Sequence, residues 1–423
     1  MSKRILFLHH CGARGGAGIM LANIIRALDP QKYQSLVVSP PGDALRDFEL
    51  AGAEVRVAPR PVHIFRHASG LSWPAWSPRF LTGAILQQRD IGFWERYFRE
   101  SGADIVHLNS LVLAPVAVAA RRAGIPAVCL FQETMVRGTF GLRTAWLRHL
   151  LSTQMAAVVF ISEYDRRQAR CCASITEVIP NWVDLGAFDR SLPRADARER
   201  LGLPGNAEVV LFLGGVSQVK GTLVLLQAAD ILRKRPELLV LIGGYCGSVG
   251  QENAPAPLWV RLRRLLRMRC AERIAEFHSG MVHRERVRFV GMLDDVVPYY
   301  AAADVVVFPA MYPHQARPVL EAGAMARPVV VSDFECTREF VVPGRNGLVF
   351  PAGRADALAG AIGEILDDPQ LARRLGEENY RITCEHHDGR RNAASFAAIY
   401  DRVAAMGDRA GAADQTVGAE LHV

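Results

Sequence analysis

The stretch "FPAMYPHQARPVLEAGAMARPVVVSD", residues 308–333, holds the end of one apolar run, a loop, a helix signal and a second apolar run. Pro318 suits the first position of a helix, where its missing N–H is not needed, and "PVLEAGAMA" follows as a helix of small apolar residues. "RPVVVSD" is a short β-branched run bounded by turn residues, the signal of a buried strand. A strand, a helix and a further strand in so short a span form the repeating unit of a parallel sheet. Inside this unit Glu321 is a lone carboxylate among apolar neighbours. A glutamate in a first turn complements the helix dipole. Its small apolar flanks also point to partial burial, and a buried carboxylate needs donors. A ribose diol supplies two such hydroxyls.

The same rhythm extends outward in both directions. In the second half, "EVVLFLG", "LLVLIGG", "VRFVG" and "ADVVVFP" read as strands and "GTLVLLQAADILRKR" as a helix. Three helices, "ADALAGAIGEILDD", "PQLARRLGEENYRI" and "RNAASFAAIYDRVAAM", close the chain before a small, polar tail expected to fray. In the first half, "RILFLHH", "YQSLVVS", "ADIVHLNS", "IPAVCLF", "MAAVVFIS" and "EVIP" are strand signals, with helices at "GIMLANIIRAL" and "PVAVAARRAG". The periodicity lapses around "NWVDLGAFDRSLPRADARERLGLPGNA".

The expected fold class is therefore α/β, with two tandem doubly wound Rossmann-like domains facing a cleft. The expected divisions are 1–185, 186–390 and a C-terminal helix with tail over 391–423, the helix packing back on the first domain. The 423 residues are ample for two cores of roughly 200 residues each.

Half of the residues are hydrophobic, yet no apolar run approaches the ~18 residues that span a bilayer, and the N-terminus has no small-residue cleavage site. A cytoplasmic protein is expected. Eight cysteines, without a CxxC pair or metal-type spacing, read as buried thiols. The net charge of +7 points either to acidic partners or to an ordinary solvated surface. Two stretches break the rhythm. "RPVHIFRHASGLSWPAWSPRF" is rich in aromatics and arginine, and "PLWVRLRRLLRMRCAERIAEF" sets Trp259, Leu262, Leu265 and Leu266 on one helical face with arginines around them. Such a helix lies on an anionic membrane surface or packs on the domain with its arginines in water.

Two glycine-rich loops follow strands. "HHCGARGGAGIMLANII" places Gly15 and Gly16 before a helix, where small residues let backbone N–H groups approach an anion or sugar, or merely serve a tight turn. It is not G-x-G-x-x-G, and the second strand ends in "VVSPPGD" without an acidic tip, so a nicotinamide site is not indicated. "LFLGGVSQVKGTLVLL" sets Lys220 beside a helix N-terminus in the order K-G-T, so it is not a Walker loop. A cation there opposes the dipole, and a bound anion relieves the conflict; an exposed lysine without a partner is the plain alternative.

These pieces together carry a resemblance. "GGAG" before a helix, "DIVH", "VIPNWVD", "LFLGGVSQVKG", "VRFVG", "ADVVVFP", "LEAGAMARPVVVSD" and "GRNGLVFPAG", in this order, make the chain similar to the family-4 retaining glycosyltransferases of the GT-B fold. The resemblance implies transfer of a sugar from a nucleotide diphosphate sugar to a sugar or lipid-linked acceptor, plausibly in polysaccharide or glycolipid synthesis. It also implies no metal, no cofactor beyond the co-substrate and no nucleic-acid partner. Glu321 then holds the ribose and Lys220 the diphosphate, with Gly15, Gly16, Gly215, Met292, Leu293, Arg317, Val319 and Leu320 as further donor contacts. Lys220, Arg317 and Glu133 are the catalytic candidates; His107, Asn109, Gln132 and Glu133 are placed on the acceptor side.

The chain departs from the family pattern at Pro313, where a glutamate is usual, at Gly215, where an arginine is usual, and at Gln132, where a histidine often stands. Arg317, just before the helix-starting proline, is the expected replacement for the arginine missing at 215. A nucleotide-sugar-binding protein without catalysis, and a GT-B-like epimerase, remain the alternatives.

Overall fold

The computed structural model describes residues 2–64, 79–135, 141–245, 269–313 and 315–420. Much of the aromatic and arginine-rich run after Arg60, and the basic amphipathic stretch up to Met268, lie outside these residues. The chain divides into two compact units, Met1–Trp182 with Gly389–Val423, and Val183–Asp388.

The first unit is a seven-stranded sheet in the order β3-β2-β1-β4-β5-β6-β7. Its strands are β1 (Lys3–Leu8), β2 (Tyr33–Ser39), β3 (Glu54–Val57), β4 (Ile105–Leu108), β5 (Ala127–Phe131), β6 (Ala157–Phe160) and β7 (Ile175–Val178). Every pairing is parallel. Strands buried on both faces need apolar residues at both parities, as the near-continuous apolar runs foretell. Leu6, Leu8, Val106 and Leu108 pack with Trp94, Phe98 and Leu147 on one face. Ile5, Phe7, Val37 and Ile105 pack on the other with Ile24, Phe396 and Tyr400.

Tyr400 belongs to the helix Gly389–Glu420, which returns to cover that second face. The Tyr33 hydroxyl bonds both Asp401 and the Ala397 carbonyl, and Lys32 pairs with Asp401 at 2.5 Å. This helix runs to Glu420.

The second unit is a six-stranded parallel sheet in the order β10-β9-β8-β11-β12-β13. The strands are β8 (Glu208–Phe212), β9 (Leu238–Gly243), β10 (Val287–Gly291), β11 (Val305–Phe308), β12 (Val329–Ser332) and β13 (Gly347–Phe350). The opening stretch forms β11, the helix Arg317–Ala324 and β12, with Pro318 in the first turn. In both sheets the order reverses beside the first strand, between β1 and β4 and between β8 and β11. Crevices for ligands open at the carboxyl ends of strands at such switch points.

Among the described cysteines Cys129 and Cys336 are buried, but Cys172 is exposed, against the expectation of buried thiols throughout. It follows the short helix Glu163–Ala169 in a loop rather than a strand. Among the described residues no helix is long and apolar enough to cross a membrane.

Candidate functional site

In the first unit, β1, β4 and β5 end in polar residues that bond one another. Asn109, just past β4 and fully buried, places its amide nitrogen 2.8 Å from His9 Nδ1 and 3.1 Å from the Ala17 carbonyl. An amide nitrogen only donates, so His9 Nδ1 accepts and the ring proton sits on Nε2. The Asn109 carbonyl oxygen accepts from Gln132 Nε2 at 2.8 Å. Burial, with His10 adjacent, pushes the His9 pKa down to about 3, and burial also lowers His10 against its hydrogen bond with the Asn109 backbone. Both imidazoles are neutral at physiological pH.

Beside them Glu133 accepts from the Ser110 hydroxyl and, at 3.2 Å, from the Leu111 N–H. Burial raises its pKa to about 7; the Ser110 and Leu111 bonds oppose the rise and the charge of Asp165 adds to it. Ser110 stands at φ +154°, a conformation rare for a residue with a side chain. Its hydroxyl bonds, to Glu133 and from the Val112 N–H, hold it there.

The sequence placed His107 with this group, and the structure removes it. His107 shares the parity of Ile105 in β4, so it faces the Gly389–Glu420 helix, where Nδ1 lies 2.9 Å from the Tyr400 hydroxyl. It is fully buried, and burial lowers its pKa to about 3.

The glycine loop is also reapportioned. A Cβ at Gly12 would lie 2.1 Å from the Pro41 carbonyl oxygen, so Gly12 is the position that requires a bare backbone. Gly15 and Gly16 have open space around them and cap and start the helix Gly16–Ala27, whose first turn has no side-chain cap. Its leading N–H groups stay available to an anion.

In the second unit the loops after β8, β9, β10 and β11 are tied into one platform by backbone bonds. Gly215 N–H donates to the Gly243 carbonyl at 2.9 Å, Val216 to Tyr245 at 2.8 Å, Gly244 to Gly291 at 2.7 Å and Met311 to Val219 at 2.8 Å. Thr222 closes the β8 loop, its hydroxyl donating to Gly215 or Ser217 carbonyls at 2.8 and 3.0 Å.

Lys220 sits in this loop, half-buried, and its ammonium has no ion pair among the described residues. Burial lowers its pKa. Gly215 has φ +66° and a Cβ there would lie 2.5 Å from the Tyr245 carbonyl oxygen, so this loop has no place for the family's arginine. Met292 and Leu293 follow β10; Met292 is exposed, and Leu293 packs over Gly243.

Glu321, 7% exposed, faces two donors. Tyr300 donates its hydroxyl to Oε2 at 2.7 Å and Arg317 its Nε–H to Oε1 at 2.5 Å. Arg317, the residue expected at the diphosphate, lies with its guanidinium over Glu321, four residues along the same helix. Val319 and Leu320 turn inward. Their side chains belong to the hydrophobic core, and the Val319 N–H bonds the Ala316 carbonyl. Sequence reasoning passed over Tyr300, because a tyrosine in "PYYAAAD" reads as core. It passed over His9, His10 and Ser110 too, although a histidine pair at a strand's end was a usable signal.

The second unit thus carries, beside its switch point, a buried carboxylate and an ammonium with no ion pair among the described residues. Residues 15–182 match the glycosyl transferase 4-like domain and residues 193–382 the glycosyl transferases group 1 family. The chain belongs to the group 1 glycosyltransferases, with the GT-B fold.

It is 32% identical over 233 residues to a D-inositol 3-phosphate glycosyltransferase of Corynebacterium urealyticum, covering 51% of this chain and 50% of that one. It is 28% identical over 272 residues to an alpha-D-kanosaminyltransferase of Streptomyces kanamyceticus, covering 62% and 61%. The chain thus spans about half to three fifths of the length of these relatives. Among solved structures, Anabaena HepE in complex with UDP and glucose is similar at TM-score 0.73 and 21% identity, over 94% of this chain and 99% of that one.

Proposed function

We propose that this protein transfers a sugar from a nucleoside diphosphate sugar to an acceptor hydroxyl, in polysaccharide or glycolipid synthesis. The observation that carries the reading is the half-buried ammonium of Lys220, which has no ion pair among the described residues and belongs to the same unit as the buried carboxylate of Glu321. A diphosphate supplies the missing negative charge and a ribose diol the donors a carboxylate accepts. The UDP and glucose bound by the similar Anabaena protein support a donor of this class.

In the proposed reaction the bond from the anomeric carbon to the diphosphate oxygen breaks, and the acceptor oxygen forms the new bond on the same face. Lys220 stabilises the charge that develops on the leaving diphosphate, aided by N–H groups of the platform, a preorganised electrostatic site. Lysine rather than a metal ion fills this role in the proposal. The acceptor proton leaves with the diphosphate oxygens. Asn109, Gln132 and Glu133 form the polar edge offered to a hydroxyl-rich acceptor, which is a sugar or a lipid-linked sugar. In the proposal the protein works in the cytoplasm or on the inner face of the membrane.

The test is a panel of nucleotide sugars with lysate-derived acceptors, read by mass analysis. A glycosylated product with retained anomeric configuration is the expected result. Binding without product would leave only the donor-binding reading, and turnover of the donor without an acceptor would replace transfer with epimerisation.

A further inference from the structure

Glu321 is gripped by two residues of different standing. Tyr300, in the helix Val297–Ala302, is fully buried, and its ring meets that of Phe188 edge-on with centroids 6.2 Å apart. Its hydroxyl has one proton and two acceptors in reach, Glu321 Oε2 at 2.7 Å and the Pro318 carbonyl at 3.2 Å. The nearer acceptor carries charge and takes the proton. Burial and the adjacent carboxylate hold the Tyr300 pKa well above its ordinary value, so the phenol remains a donor. Arg317 is different: its side chain keeps 19% of its surface, and it has the rotameric freedom of a long chain at a helix start.

A carboxylate has about four lone-pair directions. Tyr300 uses one on Oε2, and the stiff ring fixes the plane of the group. Arg317 uses one on Oε1 and leaves the second lone pair of that oxygen open. Without the phenol, the carboxylate can turn about its last torsion and face both oxygens to the guanidinium, whose fork matches them.

We propose that Tyr300 is the positioning residue of the nucleotide site, fixing Glu321 through Oε2 so that Oε1 is the edge offered to the ribose diol. This rests on the assignment of Glu321 to the ribose. It adds that ribose recognition depends on a phenol from a separate helix, buried beneath the site, that touches no ligand itself.

The experiment separates the two layers. UDP, GDP and ADP are titrated by calorimetry, and the tightest binder is compared with its 2′-deoxy and 3′-deoxy forms, on the wild type and on Tyr300→Phe. Wild type is expected to prefer the ribonucleotide by about tenfold or more, the scale of a hydrogen bond to a charged group. In Tyr300→Phe the preference should fall below about threefold, through weaker ribonucleotide binding, with the deoxy forms unchanged. A preference kept intact in Tyr300→Phe overturns the positioning role and leaves Glu321 as the ribose acceptor. A wild type that ignores the ribose hydroxyls, or binds no nucleotide, overturns the Glu321 assignment and this proposal with it. Should Tyr300→Phe not fold, 3-fluorotyrosine at position 300 keeps the ring and strengthens the donor. The preference should then rise, and an unchanged value refutes the role.

Discussion

Replacing Lys220 by methionine should move stability and ligand binding in opposite directions. The ammonium is half-buried beside Gly221 and, among the described residues, has no carboxylate to offset its lost hydration. Holding a cation so costs the fold on the order of 1–2 kcal/mol, and methionine, similar in length and apolar, removes that cost. A hydrogen bond from the same group to a diphosphate is worth ~1.5–3 kcal/mol, roughly a 10- to 150-fold change in affinity. Lys220→Met should therefore unfold at higher urea than wild type while binding UDP at least about tenfold more weakly.

The pH dependence follows from the direction of the lysine's shift. Its folded pKa lies below the unfolded value, so the penalty is absent where both states are neutral and appears as pH falls toward the folded pKa. The variant's advantage should be larger at pH 7.5 than near pH 10.5, the ordinary lysine value. Urea denaturation at both pH values and calorimetry with UDP read these outcomes. A variant that is less stable at pH 7.5 and binds UDP as tightly as wild type would refute the reasoning and make Lys220 an ordinary structural residue.

Further predictions concern the other groups of the two units. Gly215→Arg, the substitution that restores the family's usual residue, should destabilise by ~2 kcal/mol or more because of the positive φ and the close Tyr245 carbonyl; denaturation at wild-type midpoint would contradict this. Glu133→Gln should gain stability relative to wild type as pH rises. Wild type, with its folded pKa raised to about 7, loses stability from about pH 4.5 to 7, while glutamine does not, a difference on the order of 1–3 kcal/mol that urea midpoints at pH 4.5 and 7.5 will register. His107→Phe should flatten the acid limb. Wild type loses stability below about pH 6.5 as the unfolded imidazole takes up a proton that the folded one refuses until about pH 3, and the variant lacks that proton. An identical slope in both proteins counts against a neutral buried His107.

The elements that the sequence displayed well were those with one dominant signal. The β-branched runs became strands, and Pro318 began its helix where a missing N–H costs nothing. Glu321 was recognisable as a buried carboxylate because nothing around it was polar. Its partners were not recognisable, since Tyr300 comes from a separate helix and its role depends on an approach between elements that no local pattern encodes. The partner of Arg317 was hidden for a related reason: a helix start predicts nearness to an anion, and the one it meets is a carboxylate four residues along the same helix. His107 misled because its neighbours in "DIVHLNS" suggested a strand end, whereas its parity directs it to the opposite face from the one Leu108 occupies. The glycines were ambiguous one by one, and only the backbone distances separated Gly12, which cannot take a side chain, from Gly15 and Gly16, which can.

The helix Gly389–Glu420 gives the chain an unusual order of assembly. Residues Val183–Asp388 form a unit complete in itself, whereas the unit begun by the first residues is closed only by the last ones. On the ribosome the face of the first sheet carrying Phe7, Tyr33 and His107 has its early cover from Ile24 and Phe48 but lacks Phe396 and Tyr400 until the whole second unit has been made. The first unit therefore closes only after the second has been made, a non-local step in folding. Removing the chain after Asp388 would therefore strip packing from the sheet that carries Phe7, Tyr33 and His107 rather than from the unit that immediately precedes the cut.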